Sequence, residues 1–333
     1  GDLDTLLARA EEIKQPKRRE TLINFADQIR LSRDLVTLKD DVPLETTLED
    51  LAVQDPEPDT LLGFLEEMEF KTITRRVREM MEKEGALEAA PPAEDPIDRT
   101  KYACVRDFKE LEDWIARAAK QGFVAVDTET DRLDSVTANL VGVSLALAPN
   151  EACYIPLAHV DPNDAGDGDM FGADPPRQVR MKDAIKALKP LLENDAVLKI
   201  GQNIKYDLNI FAQHGIQVAP IDDTMLLSYV LNAGKHGHGM DLLSEKYLGH
   251  TPLSFKDVAG SGKSQVTFDR VALDKATEYA AEDADVTLRL WQTFKPLLHT
   301  EKVTTVYETE ERPLVPVLAA MEREGIKVDR DKL

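Results

Sequence analysis

The feature that most constrains this chain is a set of short apolar runs joined by brief connections. Phe123-Val124-Ala125-Val126, Leu140-Val141-Gly142-Val143-Ser144-Leu145-Ala146-Leu147 and Ala152-Cys153-Tyr154-Ile155 read as buried strands. The loops between them are too short for a helical crossover, so they are expected to form an antiparallel meander. A helix over Phe108–Ala119 precedes them. Downstream, helical patterns alternate with one or two short strands, Val197-Leu198-Lys199-Ile200 being the clearest. Strands first and α/β alternation afterwards predict an α/β fold with a mixed sheet flanked by helices.

Before that region lies a different kind of sequence. Residues 1–83 read as helices and short connectors, with Leu3, Leu6, Leu7 and Ala10 at helical spacing and Pro43, Pro56 and Pro58 as punctuation. The stretch Gly85-Ala86-Leu87-Glu88-Ala89-Ala90-Pro91-Pro92-Ala93-Glu94-Asp95-Pro96 is rich in Pro, Ala and acid and poor in large apolar residues, as a linker is. The expected organisation is therefore an N-terminal helical segment (1–83), a linker (84–100), a main domain (101–300) and a final segment (301–333). That last segment reads as one helix ending near Gly325, with Leu314, Val315, Val317 and Leu318 in search of a partner. The chain opens without Met directly into helical pattern, so a piece of a longer protein is expected.

Composition narrows the function. No apolar run approaches the roughly 18–20 residues needed to cross a bilayer. Cys104 and Cys153 lack metal-ligand spacing, and His236 and His238 alternate with glycines in what reads as a mobile loop, so a Cys/His metal centre is not expected. The formal net charge of −21 argues against tight, non-specific duplex binding but leaves open a hydrolase whose acidic pocket holds cations. Ala259-Gly260-Ser261-Gly262-Lys263-Ser264 imitates a phosphate-binding loop, yet Asp257 stands where the motif needs its first glycine. A flexible loop near a substrate path, with Lys263 touching phosphate, fits better.

Three acidic clusters remain. Asp127-Thr128-Glu129 follows an apolar strand, and residues two apart share a face, so a divalent cation would relieve the cost of both carboxylates. A solvated turn accounts for the pair equally well. Asn203 and Asp207 stand i, i+4 at the start of a predicted helix, where a plain N-cap and a first-turn acid would look the same. In Tyr279-Ala280-Ala281-Glu282-Asp283-Ala284-Asp285, both Glu282 and Asp283 lie near Tyr279, and spacing does not choose between them. Asp285 is expected to point elsewhere, into solvent.

Taken in order, Asp127-x-Glu129, Asn203-x-x-Tyr206-Asp207 and Tyr279-x-x-x-Asp283 resemble the three exonuclease motifs of the tyrosine-bearing branch of the DEDD superfamily. The longer blocks Val126–Asp131, Ala138–Gly142, Gly201–Asp207 and Tyr279–Thr287 are similar to proofreading domains of the bacterial DNA polymerase I family. Residues 1 to about 80 look like the end of that family's 5′-nuclease region, and Arg312-Pro313-Leu314-Val315-Pro316-Val317-Leu318 like the first helix of its polymerase region.

The resemblance implies an RNase H-like fold and a 3′→5′ exonuclease acting on single-stranded or frayed 3′ ends of DNA. It implies two divalent cations, Mg²⁺ or Mn²⁺, with Zn²⁺ admissible at one position. Asp127, Glu129 and Asp283 would hold the first, Asp127 would bridge to the second, and Asp207 would support the second through water. Tyr279 would orient the attacking water, Leu133 and Phe255 would pack on the terminal bases, and Gln202 and Asn203 would contact the strand. It further implies a cytoplasmic, nucleoid-associated monomer without membrane contact, partnered by the polymerase region of its own full-length chain. An RNA-trimming relative of the ribonuclease D type shares the four acids, and a silent scaffold would have lost them.

Overall fold

The computed structural model describes residues 2–43, 46–47, 51–53, 56–68, 70–83, 95–160, 176–262, 265–329 and 331–332, and the chain divides into two units, 1–86 and 87–333. The first unit is helical: α1 (Leu3–Ala8), α2 (Pro16–Asn24), α3 (Ala26–Val36), α4 (Pro58–Glu67) and α5 (Lys71–Lys83). Asp2 starts α1 by accepting from the Thr5 N–H at 2.7 Å. Arg30 and Arg33 of α3 both reach Asp4. Lys71–Lys83 falls where helix was expected.

The second unit contains six strands, β1 (Ala103–Cys104), β2 (Phe123–Thr130), β3 (Leu140–Ala148), β4 (Glu151–Pro156), β5 (Leu198–Gly201) and β6 (Ile221–Asp223), in the order β1-β4-β3-β2-β5-β6. The β2–β3–β4 meander is antiparallel as read, and β1, β5 and β6 add in parallel. Helices α6 (Phe108–Gln121), α7 (Met181–Leu192), α8 (Lys205–Gln213), α9 (Thr224–Asn232), α10 (Met240–Leu248), α11 (Phe255–Ala259) and α12 (Leu273–Thr300) follow. After a short α13 (Thr304–Val306), a π-helical turn at Tyr307–Glu311 leads into α14 (Arg312–Glu324). This mixed sheet flanked by helices is RNase H-like.

Strand β2 runs on through the acidic residues, because Asp127 to Glu129 pair with Ser144 to Gly142 of β3. The period of two sorts its side chains. Val124 and Val126 enter a core with Leu111, Trp114, Leu188, Ile210 and Phe211 of α6, α7 and α8. Ala125 faces the other way, into a cluster with Ala146, Ala152, Ala281, Ala284 and Leu288, where α12 lies on the sheet.

Two regions differ from expectation. The histidines of the 234–239 loop are anchored: His236 Nε2 lies 2.9 Å from the Tyr247 hydroxyl and His238 Nδ1 2.9 Å from that of Ser228. Residues 95–98, expected as linker, are held by Asn150, whose amide donates to Asp95 and Pro96 and whose oxygen accepts from the Asp98 N–H. Among the apolar residues of the last helix, Val315 is buried with Ala319 against Ile204, Leu208 and Ile221, while Leu314, Val317 and Leu318 stay exposed. Glu322 and Arg323 add hydrogen bonds to Asn209 of α8, and Glu322 pairs with Lys205. Cys104 and Cys153 are both unpaired, and no helix among the described residues is long and apolar enough to cross a membrane.

Gly142 is required where it stands. The buried Tyr154 ring covers it, and a Cβ at 142 would overlap the phenol. Tyr154 cannot retreat easily, since its hydroxyl bonds His159 at 2.8 Å. Gly142→Ala is therefore expected to cost on the order of 1–3 kcal/mol of stability by overpacking, read as a lowered urea midpoint; an unchanged midpoint would show that Tyr154 can move aside.

Candidate active site

Asp127 and Glu129 share the face of β2 that looks toward α12, two and four residues beyond Ala125. The alanines between sheet and helix let α12 come close, and this carries Asp283 over the strand. One carboxylate oxygen from each of Asp127, Glu129 and Asp283 lies within 4.8 Å of the others. The structure also separates Glu282 from Asp283. Glu282 is fully buried and engaged by Arg99 at 2.7 Å, His250 at 2.7 Å and the Leu253 N–H at 2.7 Å. Burial pushes its pKa up, but these bonds outweigh burial and hold it below its ordinary value. Asp285 corrects an expectation: it is not solvated but fully buried, accepting from Tyr102 at 2.8 Å, the Asn150 N–H at 3.0 Å and Arg289 at 2.8 Å. An ion pair and two hydrogen bonds compensate its lost hydration.

The site acids have no such compensation. Burial raises Asp127 to about 7 against one opposing backbone hydrogen bond. Glu129 stands well above its ordinary value through burial and then the charges of Asp127 and Asp207. Asp283 is raised by burial and then by Asp127 and Glu129. The Glu129 Oε1 is buried with no hydrogen-bond partner among the described residues. A hard, all-oxygen donor set with an orphaned buried carboxylate oxygen fits a divalent cation.

Asp207 enters from the opposite side. Strand β5 pairs with β2 only from Phe123 to Ala125, so beyond it the β2 edge is open. The chain turns after Gly201, and Asp207 of α8 fills that edge. Its Oδ1 accepts from the Thr128 N–H at 2.9 Å and the Thr128 hydroxyl at 2.5 Å. Burial and then the Asp127 charge push Asp207 well above its ordinary value, with the Thr128 bonds acting the other way. The helix begins later than the sequence pattern predicts. Asn203 has φ +55° and lies before α8, so it does not share a helix face with Asp207. The donors at this turn go to Asp223, which accepts from the Asn203 and Ile204 N–H groups, both at 3.0 Å, and from Met225 of α9 at 2.9 Å. The sequence pattern assigns no role to Thr128 or Asp223. The alternation of β2 could have flagged Thr128, whereas nothing local links Asp223 to residue 203.

Above the carboxylates opens a cleft of about 600 Å³. Leu133, 96% exposed, and Phe255 line it, together with Tyr206, Thr267, Phe268 and Tyr279. Tyr279 meets Phe255 and Phe268 at 6.2 and 5.8 Å between ring centroids. Its hydroxyl is raised far above its ordinary pKa, first by the Asp283 charge and then by burial, so it remains a donor. Gln202 and Asn203 are not among the lining residues; the Gln202 amide is engaged by the His238 carbonyl and the Thr224 hydroxyl. Gly262 lines the cleft, while Lys263 lies outside the described residues.

Residues 102–299 match a family model described as 3′-5′ exonuclease. The chain belongs to that exonuclease family. Residues 1–59 match a second model, 5′-3′ exonuclease, C-terminal SAM fold. Among curated relatives, DNA polymerase I of Rhizobium leguminosarum is 45% identical over 100% of this chain and 40% of its own length. DNA polymerase I of Pseudomonas aeruginosa is 39% identical over 92% of this chain and 33% of its own. The chain thus spans 33–40% of the length of these relatives. A solved structure, the POL domain of Pol1 from M. smegmatis with DNA primer-template and dNTP, superposes with TM-score 0.52 at 17% identity, covering 68% of this chain and 33% of that one. That likeness concerns the fold alone.

The raised acids have a consequence for stability. Each binds its proton more tightly folded than unfolded, so the metal-free protein loses stability as pH rises from the ordinary carboxylate range, near 4, through about 7. In a chelator at pH 8, Glu129→Gln is expected to melt above the unsubstituted protein, with the gap closing toward pH 4. An equal or lower melting temperature at pH 8 would contradict the electrostatic account.

Proposed function

We propose that this chain hydrolyses the 3′-terminal phosphodiester of single-stranded or frayed DNA, releasing nucleoside 5′-monophosphates, with two divalent cations, Mg²⁺ or Mn²⁺. The observation that carries this reading is the convergence of Asp127, Glu129 and Asp283 on the floor of a cleft walled by Leu133, Phe255 and Tyr279. Asp127, Glu129 and Asp283 would hold one cation, and Asp127 with Asp207 the second. Since Asp207 Oδ1 is committed to Thr128, its contribution falls to Oδ2. Cations bound there would lower the pKa of a water and neutralise charge on the phosphate oxygens.

The chain's own residues supply the rest. Leu133 and Phe255 offer apolar contact to the terminal bases, which tolerates any sequence. The Tyr279 hydroxyl, protonated at working pH, orients the water whose oxygen attacks phosphorus in line. The P–O3′ bond breaks, and the shortened strand keeps a 3′-hydroxyl. Gln202 and Asn203 act on the strand only through the turn they form. With a net charge of −21, the chain would bind DNA weakly, and the polymerase region of a full-length, cytoplasmic protein would deliver frayed ends to it.

A 5′-labelled and a 3′-labelled oligodeoxynucleotide test the reading. Mononucleotides should appear from the 3′ end, stop with chelation, and vanish in Asp127→Ala or Glu129→Ala. Digestion that survives both changes, or strong preference for RNA 3′ ends, would overturn it. Tyr279→Phe should slow single-turnover hydrolysis about ten- to a hundred-fold while DNA affinity holds. Weakened binding with untouched chemistry would make the tyrosine a strand contact instead.

A further inference from the structure

Among the described residues lining the cleft, four are acids (Asp127, Glu129, Asp131 and Asp283) and one is a cation, Arg132. A polyanionic strand entering this cleft meets that arginine as its only described positive side chain. Arg132 stands two residues beyond the end of β2 and precedes the exposed Leu133.

Both ends of the residue are held. Its guanidinium forms a parallel fork on Asp131, Nε to Oδ1 at 3.0 Å and Nη2 to Oδ2 at 2.8 Å. Asp131 is itself fixed by the Asn139 N–H and side-chain amide, both at 2.8 Å. The Arg132 carbonyl accepts from the Tyr206 hydroxyl at 2.8 Å and the Thr130 hydroxyl at 2.9 Å. Despite this, the side chain remains 53% exposed, and among the described residues none accepts from Nη1. An exposed ion pair stabilises a fold little. An aligned guanidinium that lines the cleft and keeps a donor to spare is what phosphate recognition needs, because less side-chain entropy is lost on binding. Its neighbour Leu133 adds apolar contact beside it, the pairing by which grooves hold single strands.

We propose that Arg132, through Nη1, binds a non-bridging oxygen of a phosphodiester in the strand leading into the site, with Asp131 and Asn139 holding the guanidinium for it. The proposal rests on the exonuclease reading above and concerns the sugar–phosphate chain, so it carries no base preference.

Hydrolysis of oligothymidylate is measured for the unsubstituted chain, Arg132→Ala and Arg132→Lys over a range of NaCl. Arg132→Ala should raise KM about ten-fold with kcat within about two-fold, and flatten the plot of log KM against log salt by about 0.7, the loss of one contact to a single strand. Arg132→Lys should restore the salt slope but only part of KM, keeping the charge without the fork. Anisotropy of labelled oligothymidylate on Asp127→Ala, with and without Arg132→Ala, gives the same slope without hydrolysis. Unchanged KM, affinity and slope in Arg132→Ala would reduce the arginine to an ion pair of its turn while leaving the exonuclease reading intact. If the unsubstituted chain fails to digest 3′ ends, that reading falls, and the anisotropy slopes still decide the phosphate contact.

Discussion

Everything at this site depends on how closely α12 can approach the sheet. Ala125, Ala146 and Ala152 on the strands face Ala281 and Ala284 on the helix, and short side chains on both sides leave little between the two backbones. Longer residues would lift the helix and separate Asp283 from Asp127 and Glu129. The apolar contact is thus used against electrostatics: burial of small side chains assembles acids that repel one another. Burial first, and for Glu129 and Asp283 the neighbouring charges after it, raises their affinities for protons, and a divalent cation would offset both costs. Functional sites are where such locally unfavourable arrangements are retained.

Asp207 depends on a different device. The sheet is shorter on the β5 side, and the carboxylate takes over the N–H that a longer strand would have satisfied. Its helix is seated from behind by Val315 and Ala319 of α14 and begun by a turn whose donors go to Asp223. The Asp223 N–H in turn donates to Tyr307 at 2.9 Å, on the π-helical turn before α14. The segment after α12 therefore belongs mechanically to the site's framework.

Much of this was legible from local pattern. Fully apolar strands with short connections determine the meander, and i, i+4 spacing puts Tyr279 beside Asp283. What local pattern misses is set by distant partners. Glu282 and Asp283 are neighbours in sequence, and only Arg99, His250 and the Leu253 N–H, remote in the chain, decide which one is consumed by the core. Asp285 reads as solvated until Tyr102 and Asn150 are brought to it. Asn203 reads as helical from its spacing, whereas its left-handed φ goes with an N–H bond to the carboxylate of Asp223, twenty residues on.

The cluster of Asp127, Glu129 and Asp283 would be a divalent-cation site rather than a merely acidic pocket. Crystals of the chain soaked in Mn²⁺ and measured at the manganese absorption edge test it most directly. An anomalous peak is expected among these three carboxylates, lost in Asp283→Asn crystals of the same form. Ordered carboxylates with no anomalous signal between them at saturating Mn²⁺ would contradict it.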